Sequence, residues 1–497
     1  MGNADLKSSS SLKLWEIKGK FRLKVLFLAM TFGFLTSCQA IWRPLKSSLF
    51  AKMVGAGYVP TAKLLVFLYL IPLILIYSKL VDRLRRHQLV YLFTIFHGIG
   101  GLIFAFLLAH PSIGVANTAT SPGRILGWAL YFFMESFGAF LATVFWAFAD
   151  SINNPKDARR HYGFFVSGSK VGGVLAAGGL YLLLSFCPLG DATLLPGTIL
   201  VGSILLLCAA ASIKCLMEFV PGKLLHGYEA AYQVEKARDR EEEIEKPTFI
   251  GSIKSAVEGL TSIIKIPYVA GISIMVILYE AIIVMFDYQV LLIADKSSPS
   301  VGALSAYYAL YYFFMHGAGL LITLFLTVPL QRIFKIEHAI LVCPALSFLL
   351  IIFAYFFPTA GVLFAALVLL RALNYALNHP TREALYIPTT KAIKFKAKAW
   401  TDAFGSRVAK ATGSVFNIAT STIGGNAIMA ISTSISAVMI AIWLVVAKLL
   451  GIQFRAAVNT NAIIGEERSR GTASRTHVET NEGEDGGEDG DDDTRGI

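Results

Sequence analysis

A set of ionisable residues stands where the surrounding sequence is apolar, and their types decide what chemistry the chain can do. Lys46 closes the segment Arg43-Pro44-Leu45-Lys46, just after an apolar stretch, and Glu135 lies within Tyr131-Phe132-Phe133-Met134-Glu135-Ser136-Phe137. Lys170, Glu280, Asp287, Arg371, Arg407 and Lys410 sit inside further apolar runs. A charge at the centre of a membrane helix costs at least about 2.5–3.5 kcal/mol on insertion scales, so such residues mark cavities and transport pathways. Lysine and arginine donors that converge in a low dielectric match phosphate oxygens. Lys46, Lys170, Lys410, Arg407 and Arg371 are therefore the candidate phosphate-binding cations. Glu135, Asp287 and Glu280 are the candidate carboxylates that balance them in the empty site or accept a transported proton. Arg43, Lys63 and Lys214, close to span ends, read as side chains that reach the membrane interface. The charges themselves point to a phosphorylated metabolite as substrate.

Other chemistries lack their residues. No GxxxxGK[ST] loop is present to drive transport with a P-loop ATPase, and no HExxH, GxSxG or His/Cys cluster supports an enzyme or a metal site. The cysteines Cys38, Cys187, Cys208, Cys215 and Cys343 are scattered without a CxxC pair, which gives neither a disulfide framework nor a zinc site. No cofactor is called for. Gly168, Gly172, Gly173, Gly178 and Gly179 read as close helix packing. Tyr131, Phe132 and Phe137 could stack on a base, but most of the 12% aromatic content reads as membrane packing.

The elements that hold these residues follow from composition. Of 497 residues 55% are hydrophobic and only 15% are charged. Soluble domains carry a distinctly larger charged fraction. The net charge is +11 although nine acids and no base lie between Glu479 and Asp493, so the rest of the chain is more basic still. So apolar and basic a chain points to a lipid bilayer, not to nucleic acid. Apolar stretches of about 20 residues are long enough to cross a membrane as helices, and the backbone in hydrocarbon must satisfy its own hydrogen bonds. Twelve spans are expected, centred on residues 25–42, 64–77, 89–109, 125–148, 163–187 and 193–213, then 268–293, 303–330, 339–357, 361–377, 403–423 and 427–450. Val25–Trp42 reads as a retained first span, not a cleaved signal. The eleventh is weak by hydropathy because Arg407 and Lys410 interrupt it.

These spans divide the chain into an N-terminal segment (1–24), a six-helix bundle (25–213), a linker (214–267), a second six-helix bundle (268–450) and a tail (451–497). The linker carries the run Lys236-Ala-Arg-Asp-Arg-Glu-Glu-Glu-Ile-Glu-Lys246, which reads as an exposed helix with paired charges. The acidic tail reads as disordered. Basic residues orient the whole. Lys79, Arg83, Arg85 and Arg86 follow the second span, Lys156, Arg159 and Arg160 the fourth, and Arg382, Lys391, Lys394, Lys396 and Lys398 the tenth. The loops after the third, fifth, seventh, ninth and eleventh spans together hold two, Arg124 and Lys296. Both termini are thus expected in the cytoplasm. An all-α membrane protein of two six-helix bundles, major-facilitator-like, is the layout of many secondary transporters. Lys170-Val-Gly-Gly and Lys410-Ala-Thr-Gly occupy equivalent spans of the two halves, as a duplication would place them.

The segment from Glu383 to Lys410 then resembles a known family. It presents Glu383, Tyr386, Ile387, Pro388, Lys394, Lys396, Lys398, Ala399, Asp402 and Lys410 in the E-x-x-Y-I-P and K-x-K-x-K-A pattern of the bacterial/plastid-type nucleotide transporters, the ATP/ADP translocases of plastids and obligate intracellular bacteria. Arg43-Pro44-Leu45-Lys46 and Glu135 are further matches. The resemblance covers residues 20 to 455. It implies nucleotide exchange by a twelve-helix carrier in which two lysines and two glutamates act, matched here by Lys46, Lys410, Glu135 and, at the second glutamate, Asp287; a monomer is expected. There the sequence departs, because an Asn-x-x-Glu-x-x-Trp-Lys pattern becomes Val284-Met-Phe-Asp287-Tyr-Gln-Val290-Leu291. The departure leaves proton-coupled net nucleotide or dinucleotide (NAD) import, or carriage of another phosphorylated anion, as alternatives to ATP/ADP antiport. The segment 1–24 before the first span is short and contains Asp5 and Glu16, so a bacterial inner membrane is expected, not a plastid.

Overall fold

The computed structural model describes residues 4–152, 155–225, 261, 263–322, 325, 335–390, 393, 397–401, 405–420, 425–460 and 462–465. The charged linker run, the lysines at 391, 394 and 396, Asp402 and the acidic tail lie outside the described residues. The described chain is helical. In the first half the helices are α1 (Ala4–Phe50), α2 (Val59–Arg83), α3 (Arg86–Ala109), α4 (Ile125–Ile152), α5 (Pro155–Phe186) and α6 (Asp191–Phe219). The second half contains α7 (Pro267–Ser297), α8 (Val301–Ile322), α9 (Ile336–Phe356), α10 (Ala360–Leu373), α11 (Ser406–Ala419) and α12 (Gly425–Asn459). Between α10 and α11 come a π-turn, Asn374–Asn378, and a short helix, His379–Leu385. One isolated bridge, Thr389 with Ile464, is the extended pairing among the described residues.

Among the described residues, eight stretches are long and apolar enough to cross a membrane, the first of them, Gly19–Tyr77, running through both α1 and α2. Neither α8 nor α11 is among them, and α10 is apolar but shorter. Tyr307, Tyr308, Tyr311, Tyr312 and His316 lower the hydropathy of α8, and Arg407 and Lys410 that of α11. Several helices run past the expected boundaries, and α12 continues beyond Leu450 to Asn459. Helix α6 continues past Lys214 to Phe219. The basic N-terminal segment is continuous with α1, and Lys24 is fully buried, with its Nζ donating to the carbonyls of Ile152 (2.6 Å) and Leu224 (2.9 Å). A cation at that place satisfies free carbonyls where α4 and the turn Gly222–Leu225 end.

Small residues set the helix spacing. A Cβ on Gly168 would stand 2.5 Å from the Ala29 carbonyl oxygen, and one on Gly172 2.6 Å from that of Gly33, so α1 and α5 touch backbone to backbone. On another side of α5, Gly173 faces the His316 ring and Gly178 the Phe313 ring, both on α8. Gly179 faces open space. Helix α5 therefore packs closely within its own half and against the other. Trp42, buried in α1, lies over Gly101 of α3 and Gly202 of α6 and donates from Nε1 to the Ile199 carbonyl at 3.4 Å. Gly55, at φ +124°, makes the turn from α1 into α2 in a region that disfavours side chains.

Without a hydrophobic force between helices in lipid, such close approach is what holds them together. Gly172→Val should lower stability by about 1–3 kcal/mol through overpacking, whereas Gly179→Ala should leave it unchanged. Thermal unfolding of the two variants in detergent checks the contrast.

Candidate functional site

Between the halves lies a cavity of about 350 Å³. Its walls carry six cations, Arg43, Lys46, Lys63, Arg371, Arg407 and Lys410, and three carboxylates, Glu135, Glu280 and Asp287. They come from α1, α2, α4, α7, α10 and α11, helices of both halves of the chain.

Three ion-paired groups organise the walls. Lys46 of α1 donates to Glu135 of α4 and lies 5.0 Å from the centre of the Tyr131 ring. Lys410 of α11 stands 3.6 Å from Glu280 of α7. Asp287, also on α7, takes two cations, Lys63 of α2 at 3.2 Å and Arg371 of α10 at 3.6 Å. Arg43 lies over the Tyr312 ring of α8 at 5.4 Å. Among the described residues, neither Arg43 nor Arg407 enters an ion pair with a cavity carboxylate. The site as a whole thus holds more positive than negative charge in a partly dehydrated space, where an anion with several oxygens is the complementary guest.

Seven of the expected residues, Lys46, Glu135, Glu280, Asp287, Arg371, Arg407 and Lys410, come together here. Lys170 does not line the cavity. It lies 5.9 Å from the centre of the Tyr375 ring, in the π-turn that follows α10. Of the aromatics considered as base partners, Tyr131 and Phe137 reach the cavity, while Phe132 packs against Tyr69 with ring centroids 5.3 Å apart.

Arg43 and Lys63, read from sequence as interface side chains, belong to the cavity instead. A signal for both was present. Arg43 is three residues before Lys46 and so shares its helix face. Lys63 is followed by the apolar run Leu64–Tyr77 and lies inside α2, not before it. Nearness to a span end hides a cavity residue whenever the cavity extends towards that end.

The model of the family described as TLC ATP/ADP transporter matches residues 3–454. The chain belongs to this family. Its sequence is 24% identical over 445 residues to ADP,ATP carrier protein 1 of Chlamydia muridarum, covering 81% of this chain and 82% of that one. It is 26% identical over 196 residues to ADP,ATP carrier protein 4 of Rickettsia typhi, covering 34% and 35%. A crystal structure of a D-xylose-proton symporter superposes with a TM-score of 0.55 at 13% identity, covering 86% of this chain and 96% of that one. The fold of this TLC-family chain is thus shared with major-facilitator-like transporters, and the chain is a multi-pass membrane protein.

The Lys46–Glu135 pair of this family member gives a test that needs no substrate. Glu135→Gln leaves a half-buried lysine without its counter-charge and should cost about 1–3 kcal/mol. Lys46→Met combined with Glu135→Leu should recover most of that loss. Unfolding midpoints of purified protein in detergent would separate the two.

Proposed function

We propose that this protein is a secondary transporter that exchanges nucleotides of the ATP/ADP type across a membrane by alternating access, without catalysing a covalent reaction. The observation that carries the reading is the central cavity with more cations than carboxylates, walled by both halves of the chain. Membership of the TLC ATP/ADP transporter family and the names of the relatives support the choice of nucleotide over other phosphorylated anions. The full architecture in this reading is twelve spans in two six-helix bundles, 25–213 and 268–450, joined by a cytoplasmic linker, 214–267. The N-terminal segment and the tail are cytoplasmic, and a single chain works in a bacterial cell membrane.

The phosphates occupy the space between Lys46 and Lys410, with Arg371 and Arg407 on the wall beside them, and Lys170 acts from outside the cavity through Tyr375. Glu135 and Glu280 hold the two lysines while the site is empty. A polyphosphate replaces those carboxylates by stronger, multiply bonded anionic oxygens. The ion-paired lysines stay solvated as long as the cavity faces water. When the halves rock, an empty cavity carries its uncompensated cations into a drier space, whereas a loaded one carries them neutralised. Exchange follows, because the loaded form crosses more readily.

Lys46→Ala and Lys410→Ala should each weaken uptake of labelled ATP by about 10–100-fold, the worth of one charged hydrogen bond to phosphate. Uptake into intact expressing cells at wild-type affinity in both variants would end the phosphate assignment. Preloading the cells with ADP should accelerate wild-type uptake, and an uncoupler should leave that acceleration intact. Uptake abolished by the uncoupler and indifferent to preloading would replace exchange by proton-coupled net import, with Asp287 as the candidate proton acceptor.

A further inference from the structure

The ion pairs of the cavity differ in what they join. Lys46–Glu135 lies within the first half of the chain, and Lys410–Glu280 and Arg371–Asp287 lie within the second. Lys63–Asp287 joins α2 to α7 and so crosses between the halves. The two side chains are about equally buried, at 21% and 24% relative exposure.

This crossing pair is the inner layer of a closure. Lys63 lies one turn into α2, and Asp287 stands about three turns before the end of α7. Beyond them, where α1 ends and α2 begins, the halves are tied again. Lys52 pairs with the Asp295 carboxylate at 3.0 Å and donates to the carbonyls of Asp295 (2.9 Å) and Ser298 (2.8 Å). The Gly302 amide donates to Asp191 at 2.7 Å, and the Ser48 and Ser305 hydroxyls share a hydrogen bond of 2.5 Å. None of these outer groups lines the cavity, whereas Lys63 and Asp287 both do. A guest in the cavity can reach the inner layer and cannot reach the outer one.

We propose that Lys63 and Asp287 form a substrate-released latch, with Lys63 as the phosphate-binding residue that makes opening of this end depend on an occupied cavity. The inference rests on the exchange reading and adds to it the residues that enforce exchange. In the empty protein Asp287 holds Lys63 and Arg371 together, and separating the halves at this end strands the Lys63 ammonium without a partner. A polyphosphate competes with Asp287 for both cations. Once it takes Lys63, the crossing pair is gone, the ammonium keeps an anionic partner, and only the outer layer still ties the halves. Asp287 keeps no claim on the far half and retains Arg371 within its own. The latch therefore opens from within, by exchange of a carboxylate for a phosphate on one ammonium.

The latch and simple binding residues make different predictions. In proteoliposomes loaded with labelled ADP, the measured quantity is the ratio of efflux into nucleotide-free buffer to efflux into buffer containing ADP. Lys63→Met and Asp287→Asn should each raise that ratio about fivefold, the effect of one partly exposed ion pair on the reorientation of the empty carrier. Their apparent affinities should move in opposite directions: weaker for Lys63→Met, which loses a phosphate ligand, and tighter for Asp287→Asn, which loses a competing carboxylate. Lys63→Arg should restore the wild-type ratio. Each variant is scored on protein recovered in the vesicles. A wild-type ratio in either Lys63→Met or Asp287→Asn overturns the latch while exchange itself stands. A wild-type protein whose efflux is the same with and without external ADP overturns the exchange reading instead.

Discussion

Cations that cannot all find a carboxylate, gathered in a cavity between apolar helices, are the constraint around which this protein is arranged. Charge of one sign in a low dielectric repels itself and loses its hydration. The six cations and three carboxylates of the cavity meet that cost in two ways. Lys46 and Lys410 each have a partner from their own half, so neither half needs the other to tolerate its lysine. Arg43 and Lys46 also lie over the tyrosine rings of residues 312 and 131, whose π faces attract cations without adding a carboxylate. The charge that remains is available to a guest.

Around that cavity the helices have to be close and yet able to move. Helix α5 shows how one segment serves both needs. Gly168 and Gly172 fit it against the backbone of α1, within one half, while Gly173 and Gly178 lay it against His316 and Phe313 of α8, in the other. The first contact is backbone on backbone and resists any change of spacing. The second is a small residue against a ring, a surface over which side chains can slide. The π-turn after α10 has a related part, because it sets Tyr375 beside Lys170, directly after the helix that carries Arg371. Irregular turns inside membrane helices recur at functional positions for this reason: the extra residue changes which side chain faces which neighbour.

Much of this is legible in the residues alone. Repeated apolar stretches, basic loops on one side and carboxylates or lysines inside spans are local features, and lipid makes each of them expensive enough to be meaningful. The weak eleventh span is visible for the same reason, since the residues that spoil its hydropathy, Arg407 and Lys410, are those that face the cavity. The motif from Glu383 to Lys410 leads to the family, and the family model covers nearly the whole chain. Lys63 and Arg43 escape such a reading because position along a span says how deep a residue lies and nothing of which side it faces. Lys170 shares the depth and repeat position expected of a cavity cation, yet its rotation about α5 turns it to Tyr375.

The sequence alone determined the helical class, the kinds of charge in the membrane and the chemistry they share, because those follow from residue type and from the cost of a charge in hydrocarbon. Only the tertiary structure decided the partners. Lys410 meets Glu280, and Asp287 meets Lys63 from the other half as well as Arg371 from its own. Each pairing depends on the rotation of two helices far apart in the chain and on the few ångströms that glycine or a ring leaves between them. No local pattern carries that information, and on it rests the difference between a pair that belongs to one half and a pair that ties both together.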